Sequence, residues 1–285
     1  MRALVTGSNG LVGSRIVRVL EARGHDVVKL TRADAELSDA KSVQSAIDRA
    51  KPDVIFNPAS MTEVDKCEAD KERAFRDNVV APTTLAVAAR TVGAHLVHVS
   101  TDYVFDGDHG PYREDDTPNP RGVYATTKRQ GEVAVEAMGR DFAIARTAVV
   151  YGWPQAARPN FGAWLYGVLS QKKEARLFED QFVSPSFADN VAEMLVELGE
   201  RKLTGTWNIA GAEVVSRVQL GHAFCDTFGF DNSLVVPTKL AAMNLASPRP
   251  LHSGLVVGKA QKELKTKPLA IAEQLAKFRA AIEAG

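Results

Sequence analysis

The sequence predicts an α/β fold in which helices cover both faces of a doubly wound parallel sheet. Apolar, strand-like runs alternate with longer helical segments through the first 150 positions, and a glycine-rich turn follows the first run. Parallel strands need crossover connections, usually helices, so this alternation favours a parallel sheet. A chain of 285 residues is long enough for one large domain or two closely joined ones.

The elements follow one another in a regular order. The first strand, 2–6, enters the glycine turn, and the next helix has apolar residues at helical spacing before Gly24 closes it. Further strands are predicted at 25–31, 52–59, 94–100 and 142–152, and further helices at 42–50, 68–92 and 124–138. These segments therefore make up the predicted sheet and its covering helices.

The glycine-rich turn predicts a nucleotide-binding site. Gly7, Gly10 and Gly13 form a G-x-x-G-x-x-G pattern between the first strand and the first helix. Glycines let the backbone approach a pyrophosphate, and a helix N-terminus offers unpaired N–H groups and the positive end of its dipole. This context is typical of a Rossmann-type dinucleotide-binding fold; a glycine turn that only packs is the alternative.

The pattern changes after Gly152. Residues 153–164 are rich in Pro, Gly and aromatic residues and predict a loop, whereas 186–200 and 204–211 return to helix and strand. We therefore predict a dinucleotide-binding domain and a smaller, interleaved C-terminal substrate-binding region. The first comprises 1–152 plus roughly 186–211, and the second comprises 153–185 and 212–285.

The end of the second strand indicates which dinucleotide is bound. Thr31 and Arg32 stand where a protein that prefers NAD usually has an acidic residue for the ribose hydroxyls. A guanidinium pairs with a 2′-phosphate, which a carboxylate would repel. We therefore predict NADP (NADPH) as the cofactor; an arginine that is only solvated is the alternative.

Thr101, Tyr124 and Lys128 predict a site for proton transfer. Thr101 follows the strand at 94–100, at the edge where parallel sheets bind ligands, and Tyr124 and Lys128 lie four residues apart on one helix face. An ammonium lowers the pKa of a nearby phenol from its ordinary value of about 10. Such a tyrosine exchanges a proton with a carbonyl oxygen held by Thr101. The alternative is a pair on a solvated helix surface.

Longer motifs around these residues resemble a known family. They are the glycine turn, NPAS at 57–60, NVVAP at 78–82, STDYVFDG at 100–107, GPYREDD at 110–116, YATTK at 124–128, RTAVVYG at 146–152, DQFVSPS at 180–186 and SPRP at 247–250. Together they resemble the extended short-chain dehydrogenase/reductases, within them the dTDP-4-dehydrorhamnose reductase branch. The resemblance implies NADPH-dependent reduction of the C4 ketone of a nucleotide-linked deoxysugar.

The resemblance also implies roles for individual residues. Catalysis is expected of Thr101, Tyr124 and Lys128. Cofactor binding is expected of Gly7, Asn9, Gly10, Leu11, Val12, Gly13, Thr31, Arg32, Leu37, Pro58, Ala59, Ser60, Asn78, Ser100, Tyr124 and Lys128. Substrate binding is expected of Met61, Thr101, Asp102, Val104, Val149, Asn160 and Arg249. The chain departs from the branch at Leu11, Met61, Val149 and Val183, where relatives carry Gln, Tyr, Trp and Gly, so the particular nucleotide sugar stays open.

Two other functions stay open. One is a sugar-nucleotide epimerase or dehydratase that retains its cofactor, and the other is a non-catalytic regulatory subunit resembling that of methionine adenosyltransferase. Net NADPH consumption with a keto sugar separates a reductase from an epimerase. Relatives often pair through the helices within 68–92 and 124–138, so a homodimer is one expectation.

Composition argues against other classes of protein. The 35 basic and 35 acidic residues balance, which predicts neither nucleic-acid nor membrane-surface binding. No apolar run reaches the ~18 residues of a membrane span, and no signal peptide is expected. Cys67 and Cys225 form no disulfide framework, which is typical of a cytoplasmic protein. His95 and His98 point to opposite faces of a strand, and no metal site is predicted.

Overall fold

The computed structural model describes residues 1–153 and 160–284. The strands are β1 (Arg2–Thr6), β2 (Asp26–Leu30), β3 (Val54–Asn57), β4 (His95–Thr101), β5 (Phe142–Thr147), β6 (Val150–Tyr151), β7 (Ala175–Phe178), β8 (Phe182–Val183), β9 (Ser186–Phe187), β10 (Gly205–Asn208), β11 (Val215–Ser216) and β12 (Val235–Thr238). The α-helices are α1 (Leu11–Ala22), α2 (Ala40–Ala50), α3 (Val64–Ala69), α4 (Lys71–Phe75), α5 (Ala81–Val92), α6 (Gly122–Met138), α7 (Phe161–Ser170), α8 (Ala188–Glu200), α9 (Arg217–Phe228), α10 (Gly258–Glu263) and α11 (Ile271–Glu283). Residues 154–159 of the predicted loop lie outside the described residues.

Six strands form the central sheet in the order β10-β5-β4-β3-β1-β2, and every neighbouring pair is parallel. The predicted doubly wound parallel sheet is therefore confirmed. The chain moves outward from β1 to β2 and then returns to place β3 on the other side of β1. This reversal opens a crevice at the carboxyl ends of β1 and β3, where open α/β sheets bind their ligands.

Helices cover both faces of this sheet because consecutive strand residues point to opposite sides. Phe56 of β3 packs with Leu20 of α1 and Leu195 of α8, whereas Ile55 packs on the other face with Leu85 of α5. All of these side chains are fully buried. Each buried side chain of this kind contributes roughly 1.5–3 kcal/mol, so the two layers hold the carboxyl edge of the sheet in place.

The prediction of a single strand at 142–152 is wrong, because the chain forms two strands there. β5 ends at Thr147, and Val149 has a φ of +44°, a left-handed conformation that a β-branched residue rarely adopts and that ends an extended strand. β6 then leaves the central sheet and pairs with β9. The carbonyl of Val149 accepts a hydrogen bond from Ser186 at 3.2 Å, which holds this turn.

The helix predicted at 68–92 is also interrupted. α3 ends at Ala69, and the side chain of Asp70 caps α4 by accepting from the backbone N–H of Arg73. The helix then widens into a π-helical turn over Arg76–Val80 before α5. The predicted end of the first helix is confirmed, because Gly24 adopts a φ of +74° just after α1.

A second apolar core lies outside the central sheet. It is rich in aromatic side chains, among them Tyr151, Phe187, Phe224 and Phe278. β10 and α8 pack with the central sheet, although in the sequence they come after the first residues of this second core. The domain boundaries themselves stay a prediction. No helix among the described residues is both long and apolar enough to cross a membrane.

Candidate active site

The glycine turn closes tightly between β1 and α1. Gly7 has a φ of +52°, a region that favours glycine, and its carbonyl accepts a hydrogen bond from Gly10 at 2.8 Å. A Cβ on Gly13 would lie 2.2 Å from the Gly7 oxygen, so only glycine lets α1 pack this closely. Gly10 is the N-cap of α1 and has no side chain to cap it, which suits a phosphate at the helix N-terminus. The other predicted residues of this turn are Asn9, Leu11 and Val12.

Thr101, Tyr124 and Lys128 come together where α6 crosses the carboxyl end of β4. Their exposed fractions are 6%, 8% and 2%. The side chain of Thr101 lies close enough to Tyr124 to influence its pKa, and the Lys128 ammonium donates to the carbonyl of Val99 at 2.8 Å. This burial excludes the alternative of a solvated pair on a helix surface.

Burial dominates the ionisation of this site. Removal from water raises the pKa of Tyr124 well above its ordinary value, although the hydrogen bond with Thr101 acts in the opposite direction. Burial lowers the pKa of Lys128 to about 8, opposed by the charge of Glu132. The expectation of a lowered phenol pKa is therefore wrong, because burial raises it. At neutral pH the phenol is protonated, the form that donates a proton.

A buried carboxylate lies beside Thr101. The Thr101 hydroxyl donates to Asp102 Oδ1 at 3.0 Å, and the Ser253 hydroxyl donates to Oδ2 at 2.6 Å. Burial raises the pKa of Asp102 to about 6 in spite of these hydrogen bonds. Ser253, 151 residues further along the chain, carried no sequence signal.

Asn78 in the π-helical turn joins three segments at the site. Its Oδ1 accepts from the Met61 N–H at 2.8 Å, and its Nδ2 donates to the Met61 carbonyl and to Thr127 Oγ1, both at 3.1 Å. A Cβ on Gly131 would lie 2.2 Å from the Asn78 carbonyl oxygen, so glycine allows α6 to approach. Asn78 thus positions the loop after β3 against α6, and π-turns are frequent at functional sites.

A buried ion-pair network lies beneath α6. Glu132 accepts from Arg146 Nε at 3.0 Å and Nη2 at 2.9 Å, and from Arg129 at 2.8 Å. The Arg146 guanidinium also lies 5.0 Å from the centroid of the Phe105 ring. The network connects α6 to β5, and its carboxylate, one helical turn from Lys128, favours the ammonium form of that lysine.

An arginine cluster surrounds Asp77 near the end of β2. Arg32 Nη2 lies 3.4 Å from the Asp77 carboxylate, Arg73 Nε lies 3.4 Å from it, and Arg76 Nε lies 3.3 Å from it. Three guanidinium groups around one carboxylate leave an excess of positive charge, which suits a phosphate. Sequence reasoning missed Arg73 and Arg76, because only the fold brings their helix beside Arg32.

The remaining predicted cofactor residues line the same edge of the sheet. Thr31 donates its backbone N–H and its hydroxyl to Asp34 at 2.8 and 2.6 Å, and the Leu37 carbonyl accepts from Thr84. Ser100 is buried, and its hydroxyl has no hydrogen-bond partner among the described residues. The loop after β3 contains Pro58, Ala59 and Ser60, and a Cβ on Gly7 would lie 3.2 Å from that of Ala59. A tight glycine cradle and an unpartnered buried hydroxyl fit a dinucleotide.

Three predicted substrate residues are apolar. Met61 is buried in one cluster with Tyr124, so it lies beside the proton-transfer site. Val104 is buried in a neighbouring cluster with Phe105. Val149 occupies the left-handed turn between β5 and β6.

Two polar residues predicted for the substrate already have protein partners. Asn160 caps α7 by accepting from Ala163 at 3.1 Å. Arg249 donates to the Asp65 carboxylate at 2.8 Å and to the Ser247 carbonyl at 3.0 Å. Their role in substrate binding stays a prediction.

Other polar residues at the site were not predicted. The ring of Tyr103 packs edge-on against Tyr124, with centroids 5.7 Å apart, and its hydroxyl lies near the side chain of Gln181. Gln181 accepts from Arg217 Nε at 3.1 Å. Tyr103 and Gln181 lie within motifs of the resemblance and could have been found there, whereas Arg217 carries no such signal.

Across residues 1–153 and 160–284, no group of three or more His, Cys, Asp or Glu side chains is placed to hold a metal ion. His95 Nδ1 pairs with Asp141 at 2.7 Å, and His98 Nδ1 lies 3.1 Å from the Asn57 amide.

Topology and site together define the class: an extended short-chain dehydrogenase/reductase. Within it, the chain belongs to the family described as RmlD substrate binding domain, whose model matches residues 1–283. The dTDP-4-dehydrorhamnose reductase of Streptomyces griseus is 37% identical over 264 residues, which cover 89% of this chain and 85% of that protein. The crystal structure of the Bacillus anthracis dTDP-4-dehydrorhamnose reductase in complex with NADP matches with a TM-score of 0.92 at 25% identity over 98% of both chains. The predicted family and branch are confirmed.

A relative with a different name is the methionine adenosyltransferase 2 subunit beta of Xenopus tropicalis. It is 33% identical over 274 residues, which cover 92% of this chain and 77% of that protein. The resemblance to such a subunit is therefore real. The similarity to named reductases nevertheless favours a reductase over a regulatory subunit, an epimerase or a dehydratase.

Proposed function

We propose that this protein reduces the C4 ketone of dTDP-4-dehydrorhamnose, or of a close nucleotide-linked deoxysugar, with NADPH. The observation that carries the proposal is the buried pair of Tyr124 and Thr101 at the carboxyl edge of a sheet whose first turn is a glycine cradle. The named reductases among its relatives support the substrate class.

Tyr124 supplies the proton in this reaction. Negative charge develops on the ketone oxygen during reduction, and the protonated phenol donates its proton there, leaving an alcohol and a phenolate. When its hydroxyl turns from Asp102 to the same oxygen, Thr101 donates a hydrogen bond to it and holds it in place. Both groups act in a site shielded from water, where hydrogen bonds to a developing charge are strongest.

Lys128 stabilises the phenolate that remains. With a pKa of about 8 its side chain is mainly an ammonium at neutral pH, and it lies one helical turn from Tyr124. NADPH, when bound, supplies the hydride. The residues that would hold it are the glycine turn, the arginine cluster around Asp77 and the unpartnered hydroxyl of Ser100.

NADPH oxidation with dTDP-4-dehydrorhamnose tests the proposal. Tyr124→Phe should lower kcat by about 10²–10⁴, the usual contribution of a general acid, while NADPH still binds through the glycine turn. Tyr166→Phe, in the second core, is the matched control and should keep full activity. Full activity of Tyr124→Phe would remove the assigned role, and absence of net NADPH consumption by the unaltered protein would point to an epimerase or a binding protein.

Three further expectations accompany the proposal. They are a substrate-binding region at 153–185 and 212–285, a cytoplasmic location, and a homodimer formed through the helices within 68–92 and 124–138. The first is supported by the hydrogen bond between Ser253 of the C-terminal region and Asp102 of the sheet domain.

A further inference from the structure

Arg217 is a buried arginine whose donors are only partly used. It begins α9, its Nε donates to Gln181 at 3.1 Å, and its guanidinium carbon lies 4.8 Å from the centroid of the Phe161 ring. Although part of the residue is exposed, Nη1 is sealed from solvent and has no hydrogen-bond partner among the described residues. A buried donor without a partner costs free energy that a bound ligand can restore.

The surroundings of Arg217 place it in the active site. Gln181 and Arg217 both lie near the Tyr103 hydroxyl, and the Tyr103 ring lies edge-on against Tyr124. Asp102 attracts the guanidinium electrostatically, but its two oxygens already accept hydrogen bonds from two hydroxyl groups. A positive charge therefore lies one aromatic ring away from the proton donor, and no carboxylate among the described residues is hydrogen-bonded to it.

Arg249, the arginine that the sequence suggested for a diphosphate, is differently placed. Its guanidinium already pairs with Asp65 at 2.8 Å, so its charge is partly neutralised before any ligand binds. Arg217 has no carboxylate hydrogen-bonded to it among the described residues. In a nucleotide sugar the phosphates leave C1, across the pyranose ring from C4. Tyr103 connects the two groups in the protein, because its ring packs against Tyr124 and its hydroxyl lies within the electrostatic reach of Arg217.

On the basis of the proposed function, we infer that Arg217 Nη1 binds a non-bridging oxygen of the substrate diphosphate. A guanidinium–phosphate hydrogen bond is charge-assisted and roughly twice as strong as a neutral one. The phosphate supplies the counter-charge that the protein lacks at this position. It also anchors C1 so that C4 faces Tyr124, which makes Arg217 a specificity residue for nucleotide diphosphates over free sugars.

Calorimetric titration with dTDP tests this inference in the full-length protein. Arg217→Met should raise the Kd of dTDP about 10- to 100-fold, as expected for loss of a hydrogen bond to a charged group. Arg217→Lys keeps the charge without the planar donors, so its Kd of dTDP should lie between those of the unaltered protein and Arg217→Met. Arg176→Met removes an exposed arginine from β7 and is the matched control, with an unchanged Kd. The Kd of NADPH should stay within about twofold in all variants and reports an intact fold.

Each other outcome has a defined meaning. A Kd of dTDP within about threefold of the unaltered protein in Arg217→Met overturns the inference and makes Arg217 a packing residue. Unchanged binding of dTDP with weaker binding of dTDP-rhamnose would place the contact on the sugar, which also contradicts it. If Arg217→Met fails to fold, Arg217→Lys decides by the same criterion. No dTDP binding by the unaltered protein would contradict the proposed substrate class as well.

Discussion

Replacing Glu132 by glutamine tests whether the buried ion pair beneath α6 stabilises the active site. Glu132 accepts two hydrogen bonds from Arg146, at 3.0 and 2.9 Å, and both side chains are buried. Glutamine keeps the shape but removes the charge, which leaves Arg146 buried without a counter-ion. Removing one partner of such a pair costs about 3–5 kcal/mol, and we expect the free energy of unfolding to fall by that amount.

Urea unfolding followed by circular dichroism measures this loss. Glu136→Gln, one turn further along α6, is the matched control, because that side chain is 39% exposed and lies 3.4 Å from Arg129. It should change the free energy of unfolding by no more than about 0.5 kcal/mol. The double variant Glu132→Leu/Arg146→Met removes both charges and should recover most of the loss. If Glu132→Gln were as stable as Glu136→Gln, the reasoning about this pair would be refuted.

Two further predictions concern the glycine turn and Asp102. Gly13→Ala should abolish NADPH binding in a calorimetric titration, because its Cβ would lie 2.2 Å from the Gly7 oxygen. Gly167→Ala is the control and should bind NADPH normally, because its Cβ would meet nothing within 4 Å. Equal NADPH affinities of the two variants would contradict the role of the glycine turn. Folding raises the pKa of Asp102 from 3.8 to about 6, so between these pH values the folded protein keeps a proton that the unfolded chain has lost. The free energy of unfolding therefore falls by about 3 kcal/mol as the pH rises from 3.8 to about 6. The free energy of unfolding of Asp102→Asn should not show this fall. If it changed equally between pH 4 and pH 6 in Asp102→Asn and in the unaltered protein, the prediction would be contradicted.

The architecture was largely predictable from the sequence because its signals are local. Apolar periodicity and the Gly7–Gly13 turn predict the order of strands and helices, and the parallel sheet follows from their alternation. The errors fall where distant contacts impose a local conformation. Val149 adopts a positive φ in a turn held by Ser186, and the Asp70 side chain caps a new helix within a segment that reads as continuous.

The sequence by itself determined which residues meet at the site when they share one element or one edge of the sheet. Spacing places Tyr124 and Lys128 on one helix face, and strand order brings Thr101 to the same edge. Only the tertiary structure decided how these groups ionise and what surrounds them. It raises the pKa of Tyr124 through burial and brings Ser253 and Arg217 to Asp102. The physical reason is range: side-chain direction depends on a few neighbouring residues, whereas desolvation and long-range hydrogen bonds depend on which distant elements pack together.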